Sequence, residues 1–299
     1  MVNLALPDRA SRVGRRRFAL AGLASELLVE TCKSHSDKTA PRFASVAAAV
    51  FAAASLIAQP SIAQPSNEDL ARRAADPTQS PLSLQFYNYY TPHFHGVDGS
   101  GNQLVFRPVI PYKAFGVDNI VRFTLTHNTT SPIGRSGFGD IQLLQLSIVE
   151  RWGGRFAYGL SGSLPTGTDT FTNDKWTLGP AAAYVTSTAG GITYGTLAQT
   201  FFSIAGNDEA RDVSQIALQP VMAVPLGGSK TLSLGNSGVL YDIERSRWVS
   251  VAPSVQFSWL TDLWGFKWRP SLELTHEFRD LPGNPQTTYR LGAQILLPR

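Results

Sequence analysis

Phe266-Lys267-Trp268-Arg269-Pro270-Ser271-Leu272-Glu273-Leu274-Thr275-His276-Glu277-Phe278 is the stretch whose reading decides the fold. Its even positions (Phe266, Trp268, Pro270, Leu272, Leu274, His276, Phe278) are largely apolar, and its odd positions (Lys267, Arg269, Ser271, Glu273, Thr275, Glu277) are all polar. A period of two belongs to an extended strand with one apolar and one polar face. The run reaches the roughly ten residues of a tilted membrane strand, where soluble strands usually have about five or six.

Working outward, the same alternation recurs. Phe156, Tyr158, Leu160 and Leu164 oppose Ala157, Gly159, Ser161 and Ser163 in a fifth strand; Trp176, Leu178 and Tyr184 oppose Thr177, Gly179, Ala181 and Ala183 in a sixth. Val249, Val251, Val255, Phe257 and Trp259 oppose Ser250, Ala252, Ser254, Gln256 and Ser258 in a tenth. Further strands are expected near 82–90, 102–112, 119–127, 140–150, 192–204, 213–224, 231–240 and 287–297, twelve in all. The fourth is apolar on both parities, so Asp140 at its start has no assignable side. Connections alternate between tight (Lys113–Asp118, Arg151–Gly154, Ser187–Gly191, Pro225–Lys230, Thr261–Gly265) and mostly longer, more polar ones (Thr91–Gly101, Asn128–Gly139, Pro165–Lys175, Ala205–Asp212, Tyr241–Arg247, Arg279–Gln286). Short periplasmic turns, long outer loops and an even strand count describe an all-β, antiparallel, up-and-down transmembrane β-barrel. Trp152, Trp176, Trp248, Trp264 and Tyr241 fall at strand ends, where an interfacial aromatic girdle sits. Arg290-Leu291-Gly292-Ala293-Gln294-Ile295-Leu296-Leu297 resembles the last-strand signal read by the outer-membrane assembly machinery, with Leu297 where an aromatic residue is usual.

Composition agrees. Of 299 residues 16% are charged, mean hydropathy is −0.07, and no apolar run reaches the roughly 18 residues of a spanning helix. Phe43–Ile57, preceded by Lys38 and Arg42 and followed by Ser61-Ile62-Ala63, reads as a cleavable signal peptide cut after Ala63. Upstream, Arg15-Arg16-Arg17-Phe18 resembles a twin-arginine signal, but Glu26 and Glu30 interrupt what should be apolar, and translation is expected to start nearer residue 36. Eight of the 26 Lys/Arg and four of the 22 acids lie in residues 1–63, so the exported chain is balanced at 18 of each. The sequence pI of about 9.3 is then no argument for nucleic acid. Cys32 lies in the expected leader, so the exported protein should have no disulfide framework and no thiol catalysis, and the lack of a small-residue lipobox before it argues against a lipoprotein. The expected organisation is an extension plus signal over 1–63, a periplasmic linker over 64–81 with one helical candidate (Asn67 to Ala75) and a lumen plug as the alternative, and a barrel over 82–299.

Several stretches resemble the bacterial outer-membrane barrel family named for the MetA pathway of phenol degradation, often labelled putative transporters or neuromedin U. They are Phe94-His95-Gly96-Val97-Asp98-Gly99, Arg107-Pro108-Val109-Ile110-Pro111, Gly137-Phe138-Gly139-Asp140-Ile141-Gln142, Leu164-Pro165-Thr166-Gly167, Trp176-Thr177-Leu178-Gly179-Pro180 and Leu218-Gln219-Pro220. The resemblance spans roughly residues 80–299. It implies an outer-membrane location in a Gram-negative cell and passage of small or aromatic compounds, and it brings no catalytic motif.

His93 and His95 share a face if extended, as a metal site requires, yet Asp98 is the only nearby third ligand and no spacing supports it. Asn207, Asp208, Glu209 and Asp212 read as a solvated loop. His127, His276 and many serines allow a Ser–His lipid hydrolase in principle, but no spacing selects a pair. The informative residues are charges on the inward parity: Arg107, Arg122, Lys267, Arg269, Glu273, Glu277 and Arg290. They come from strands 2, 3, 11 and 12, and closure sets strand 1 between 12 and 2, so they share one wall. That wall is either a cation-lined path for anionic or polarisable solutes or a salt-bridged network filling a narrow barrel. The expected function is passive, non-enzymatic transport of small molecules, with no cofactor and with outer-membrane lipid, the assembly machinery and a solute as partners. A structural or adhesive barrel acting through its outer loops is the alternative, and a lipid hydrolase comes third.

Overall fold

The structure, a computed structural model, describes residues 66–298. The expected signal peptide, the extension before it and Cys32 lie outside the described residues.

Sixteen hydrogen-bonded segments build twelve antiparallel staves. They are β1 (Ser83–Thr91), β2 (Gly101–Ala114), β3 (Val117–Thr130), β4 (Ile141–Arg151), β5 (Gly154–Leu164), β6 (Lys175–Ser187), β7 (Thr193–Gly206) and β8 (Ser214–Gly227). β9 is split into Lys230–Ser233 and Gly238–Asp242, and β10 into Arg247–Ala252, Ser254–Trp259 and Thr261–Leu263. β11 (Phe266–His276) and β12 (Thr287–Leu296) complete the set, and Gly137–Phe138 adds a short rung against β3 ahead of β4. Each stave pairs with the next, and β12 returns to β1 from Ser83↔Leu296 to Tyr90↔Tyr289. The sheet is therefore a closed barrel without an edge.

Side-chain parity follows the sequence alternation. Along β6 every odd residue from Lys175 to Val185 is buried, while Trp176, Leu178 and the other even ones face outward. Large apolar side chains remain exposed around the outer wall, among them Phe86, Leu160, Leu178, Met222, Leu272 and Leu291. A continuous apolar belt of this size on a closed barrel is a lipid-facing surface. On β4 it is Leu144 and Leu146 that turn inward, which the two-sided apolar pattern had left open. Asp140 belongs to neither wall: it lies before β4 and accepts the Gly167 and Asn173 amides (3.0 and 2.9 Å), tying two outer loops.

Three hairpins at the tight-turn end share one device. Phe115-Gly116, Trp152-Gly153 and Trp264-Gly265 each have positive φ at both residues (52° and 74°, 53° and 71°, 54° and 77°). This is the primed turn that matches the twist of a two-residue hairpin. A left-handed aromatic residue is strained, yet all three rings are strongly exposed. The indoles of Trp152 and Trp264 are amphipathic rings of the kind that favour the membrane–water interface.

Residues 67–75 form a helix, α1 (Asn67–Ala75), capped by Ser66 Oγ on the Asp69 amide. This part of the segment expected as a periplasmic linker, or alternatively a lumen plug, packs on the barrel end. The physical reason is its apolar face: Leu70, Ala71 and Ala74 pack on inward Leu260 and Leu296. After the helix, buried Asp76 accepts from the Thr78 amide and hydroxyl (2.8 and 2.6 Å) and pairs with Arg155 of β5. The segment thus runs from the β10–β12 side of the lumen to the β5 side.

Arg placed at Leu272, halfway along β11, should cost about 2–4 kcal/mol, whereas Arg at Leu263 beside the Trp264 turn should cost about 0–1 kcal/mol. Refolding titrations into lipid vesicles measure both, and equal losses would contradict the belt placement.

Candidate functional site

The inward charges converge around one ring. Tyr87, on β1, faces the lumen because Phe86 and Asn88 beside it take the other parity and pair outward-facing partners on β2 and β12. The Arg107 guanidinium lies 5.5 Å and that of Arg290 4.5 Å from the Tyr87 ring centroid, and Arg290 also lies 5.5 Å from Tyr89. These are cation–π distances.

Glu273 is the acid of this cluster. It is directly opposite Arg290 in the β11–β12 register and pairs with it, both side chains being almost fully buried. Arg290 also donates to Gln256 Oε1 at 2.6 Å. The second support of Glu273 comes from the break in β9, where Leu234-Gly235-Asn236-Ser237 leaves the wall. The Asn236 amide donates to both Glu273 oxygens at 3.2 Å, and Thr275 Oγ1 donates at 3.3 Å. Gly235, with φ +59°, permits this approach, since a Cβ there would stand 2.1 Å from Glu273 Oε2.

Arg269, 6% exposed, meets the C-terminal end of α1: its Nη1 donates to the Ala74 carbonyl at 3.4 Å and to Gln294 Oε1 at 3.5 Å. A guanidinium at a helix C-terminus is favourable, because the last carbonyls there lack partners. Its Nε and Nη2 remain buried without a hydrogen bond, as do Arg107 Nε and Arg290 Nε. Arg107 and Arg122 are half-buried on neighbouring strands, Val109 facing Arg122 two residues beyond Arg107. Among the described residues no carboxylate pairs with Arg107, Arg122 or Arg269.

Two of the expected wall charges lie elsewhere. Lys267 is near the tight-turn end and pairs with Asp262 across the hairpin (2.6 Å), with its side chain 29% exposed. Glu277 is spent on backbone at the opposite end, accepting from the Val251 and Arg279 amides (2.7 and 2.8 Å) and from Ser250. Sequence reasoning missed Tyr87, the Asn236 support and the Asp76–Arg155 pair. The signal for the second was present in Leu234-Gly235-Asn236-Ser237-Gly238, a turn composition inside an expected strand.

Away from the arginines the inner wall is mixed: Ser161, Ser163, Lys175, Thr177 and Thr193 are buried on it beside an apolar cluster. Leu144 and Leu146 of β4, Ala157 of β5, Ala181 and Ala183 of β6 and Leu197 of β7 form one buried cluster. The two surfaces meet where Arg122 is the direct cross-strand neighbour of Leu144.

The other candidates gain little from the geometry. No group of three His, Cys, Asp or Glu able to hold a metal occurs among the described residues; His95 Nδ1 lies 3.6 Å from Asp280. His276 bonds Thr287 and His127 packs on the Phe138 ring. No serine is hydrogen-bonded to either histidine among the described residues.

No family model matches the chain, and no curated protein sequence matches it. Among solved structures, an outer membrane channel from Pseudomonas putida F1 is similar over 72% of this chain and 94% of that one, with 11% identity and a TM-score of 0.53. The KdgM porin (14% identity) and the outer membrane phospholipase A from Escherichia coli (8%) cover 72% and 78% of this chain and 98% of their own, each at a TM-score of 0.44. The first likeness is one of fold: the chain is a closed twelve-stranded barrel of the outer-membrane type.

Replacing Glu273 by Gln strands buried Arg290 and should cost about 3–5 kcal/mol. Lys267→Gln, which removes a largely solvated pair, should cost about 0–1 kcal/mol. Urea unfolding in a fixed lipid background measures both, and similar values would mean that the Glu273 pair is hydrated.

Proposed function

We propose that this chain is a passive channel of the outer membrane that conducts small molecules through the barrel lumen, as the MetA-pathway resemblance implies. One observation carries the reading. Arg107 and Arg122 face the lumen half-buried on neighbouring strands, and among the described residues no carboxylate pairs with either. Like charges on adjacent strands repel, and in a sealed interior unpaired guanidinium groups would be strongly destabilising. They are tolerable where water reaches them, that is, beside a hydrated path. A fixed positive field on such a path favours anions and polarisable solutes.

The same reading gives the N-terminal segment a role. α1 and the Asp76–Arg155 pair lie across the tight-turn end, so they narrow the exit on that side.

In planar bilayers the protein should conduct with anion preference. Replacing both Arg107 and Arg122 with Ser should shift the reversal potential toward cations while costing less than about 1 kcal/mol of stability, since hydrated charges contribute little. Absence of conductance together with a loss of about 3–5 kcal/mol would identify a filled barrel instead. Arg155→Gln should raise single-channel conductance by releasing the Asp76 tether, and an unchanged conductance would remove the segment from the path.

A further inference from the structure

We infer that the outer wall of β12, β1, β2 and β3 seats an acyl chain of an outer-leaflet glycolipid, one that carries a hydrogen-bond donor beside its headgroup linkage as a hydroxyacyl chain does. The inference concerns the lipid-facing wall and does not rest on conduction through the lumen.

The strand register sets two outward rows across these four strands. In the first, Phe86 lies between Ala293 and Phe106, and Phe106 pairs in turn with Leu125. In the second, two residues nearer the long loops, Asn88 lies between Leu291 and Leu104, and Leu104 pairs with His127. Both rows line a groove of about 520 Å³, a volume within the range of sites that bury a small molecule. The Phe86 and Phe106 rings, 5.0 Å apart, stand on one side of it, and the Phe138 ring against His127 stands at its β3 end.

Depth identifies the leaflet. From Tyr112, near the tight Phe115-Gly116 turn, to Leu104, β2 climbs about 20 Å at about 3.3 Å per residue and a tilt of about 40°. The second row therefore stands near the outer boundary of an apolar band about 25 Å tall, where acyl chains join their headgroups. The strand tilt also sets the groove oblique to the membrane plane, so a chain can follow it from that level into the hydrocarbon.

Polarity selects the lipid. Asn88 and His127 interrupt an otherwise apolar face. Asn88 Nδ2 donates to Asn102 Oδ1 at 3.0 Å, and Asn102 Nδ2 donates to Thr129 Oγ1 at 2.9 Å, which fixes the direction of the ladder. Asn88 Oδ1 and the His127 ring nitrogens make no hydrogen bond among the described residues. Polar groups left without partners beside hydrocarbon are costly. Asn88 Oδ1 requires a donor, and a neutral imidazole both donates and accepts. An ester linkage offers acceptors alone and leaves Asn88 without a bond. A hydroxyl close to the linkage donates as well as accepts, and it satisfies both residues.

Native mass spectrometry of the full exported chain, delipidated in nonionic detergent, tests the assignment with two phosphatidylethanolamines that differ only in carrying β-hydroxymyristoyl or myristoyl chains. The hydroxylated lipid should bind at least about threefold more tightly, the step expected of one net hydrogen bond. Lipid A, an outer-leaflet glycolipid with hydroxylated chains, should displace it. Asn88→Leu and His127→Leu, which make the face more apolar, should each reduce the preference, and the double variant should abolish it. Leu160→Ala, on the exposed face of β5, should leave it unchanged. Equal binding of the two phospholipids, failure of lipid A to compete, or a preference that survives the double variant would each overturn the site. So would a dimer that binds neither lipid and that Leu104→Trp dissociates, because the groove would then belong to a second copy of the chain. If a variant lacks the heat-modifiable gel shift of a folded barrel, the lipid pair on the unaltered chain decides alone.

Discussion

Hydrocarbon offers no partner to a backbone N–H or C=O, and that single constraint organises this molecule. Every polar backbone group at membrane depth must be bonded within the chain, so the sheet closes, with β12 on β1. Closure locks the register, because a one-residue slip would exchange the apolar and polar faces of a whole strand. The outer belt and the inner wall are thus two consequences of one alternation. Register shifts do occur, between Asn102 and Gln103, Lys230 and Thr231, Trp176 and Thr177, and Leu240 and Tyr241. All four sit near strand ends, where water can take up the freed groups.

The exception is the break in β9, which lies at the depth of Glu273. Its backbone is satisfied from inside: Leu234 donates to the Met222 carbonyl (3.0 Å), Ser237 to Leu234 (3.1 Å), and Asn236 to the Glu273 carboxylate. Glu273 therefore joins two problems that a membrane barrel must solve. It neutralises a buried arginine and accepts a backbone donor that has left the sheet. Without that acceptor the break would strand a polar group, and without the break Glu273 would have fewer bonds with which to offset its own desolvation.

Much of this was legible in the sequence because a period of two is directly geometric. The twelve strands, the outward parity of Leu272 and Phe257, and the common wall of Arg107, Arg122, Arg269 and Arg290 all follow from alternation plus closure. The bounds of α1 were legible too, from polarity and flanking prolines. What alternation cannot convey is which groups compete for a charge. Lys267 shares the parity of Arg269, yet Asp262 across the hairpin captures it. Glu277 shares the parity of Glu273, yet two backbone amides claim it. The location of α1 was equally hidden, since an apolar helix face states that it will be covered and not by which wall. Leu144 and Leu146 were ambiguous for the opposite reason: an apolar strand satisfies both lipid and a dry lumen, and only the register with Arg122 decides.

The two attachments of the N-terminal segment differ in physical kind, and this bears on how the lumen is held. At one side α1 is seated by Leu70, Ala71 and Ala74 on Leu260 and Leu296, with a long contact from Arg269 to the Ala74 carbonyl. Lifting it would expose apolar surface, at about 25 cal/mol per Å². At the other side Asp76 and Arg155 form a buried ion pair, and separating them returns both charges to water, which recovers desolvation free energy and offsets much of the lost attraction. The helix is thus held by apolar burial, and the Asp76–Arg155 pair by buried charge supported by Thr78, whose hydroxyl also accepts from Arg155 Nε at 3.0 Å. The two attachments therefore answer to different perturbations, the first to loss of apolar area and the second to loss of either charge.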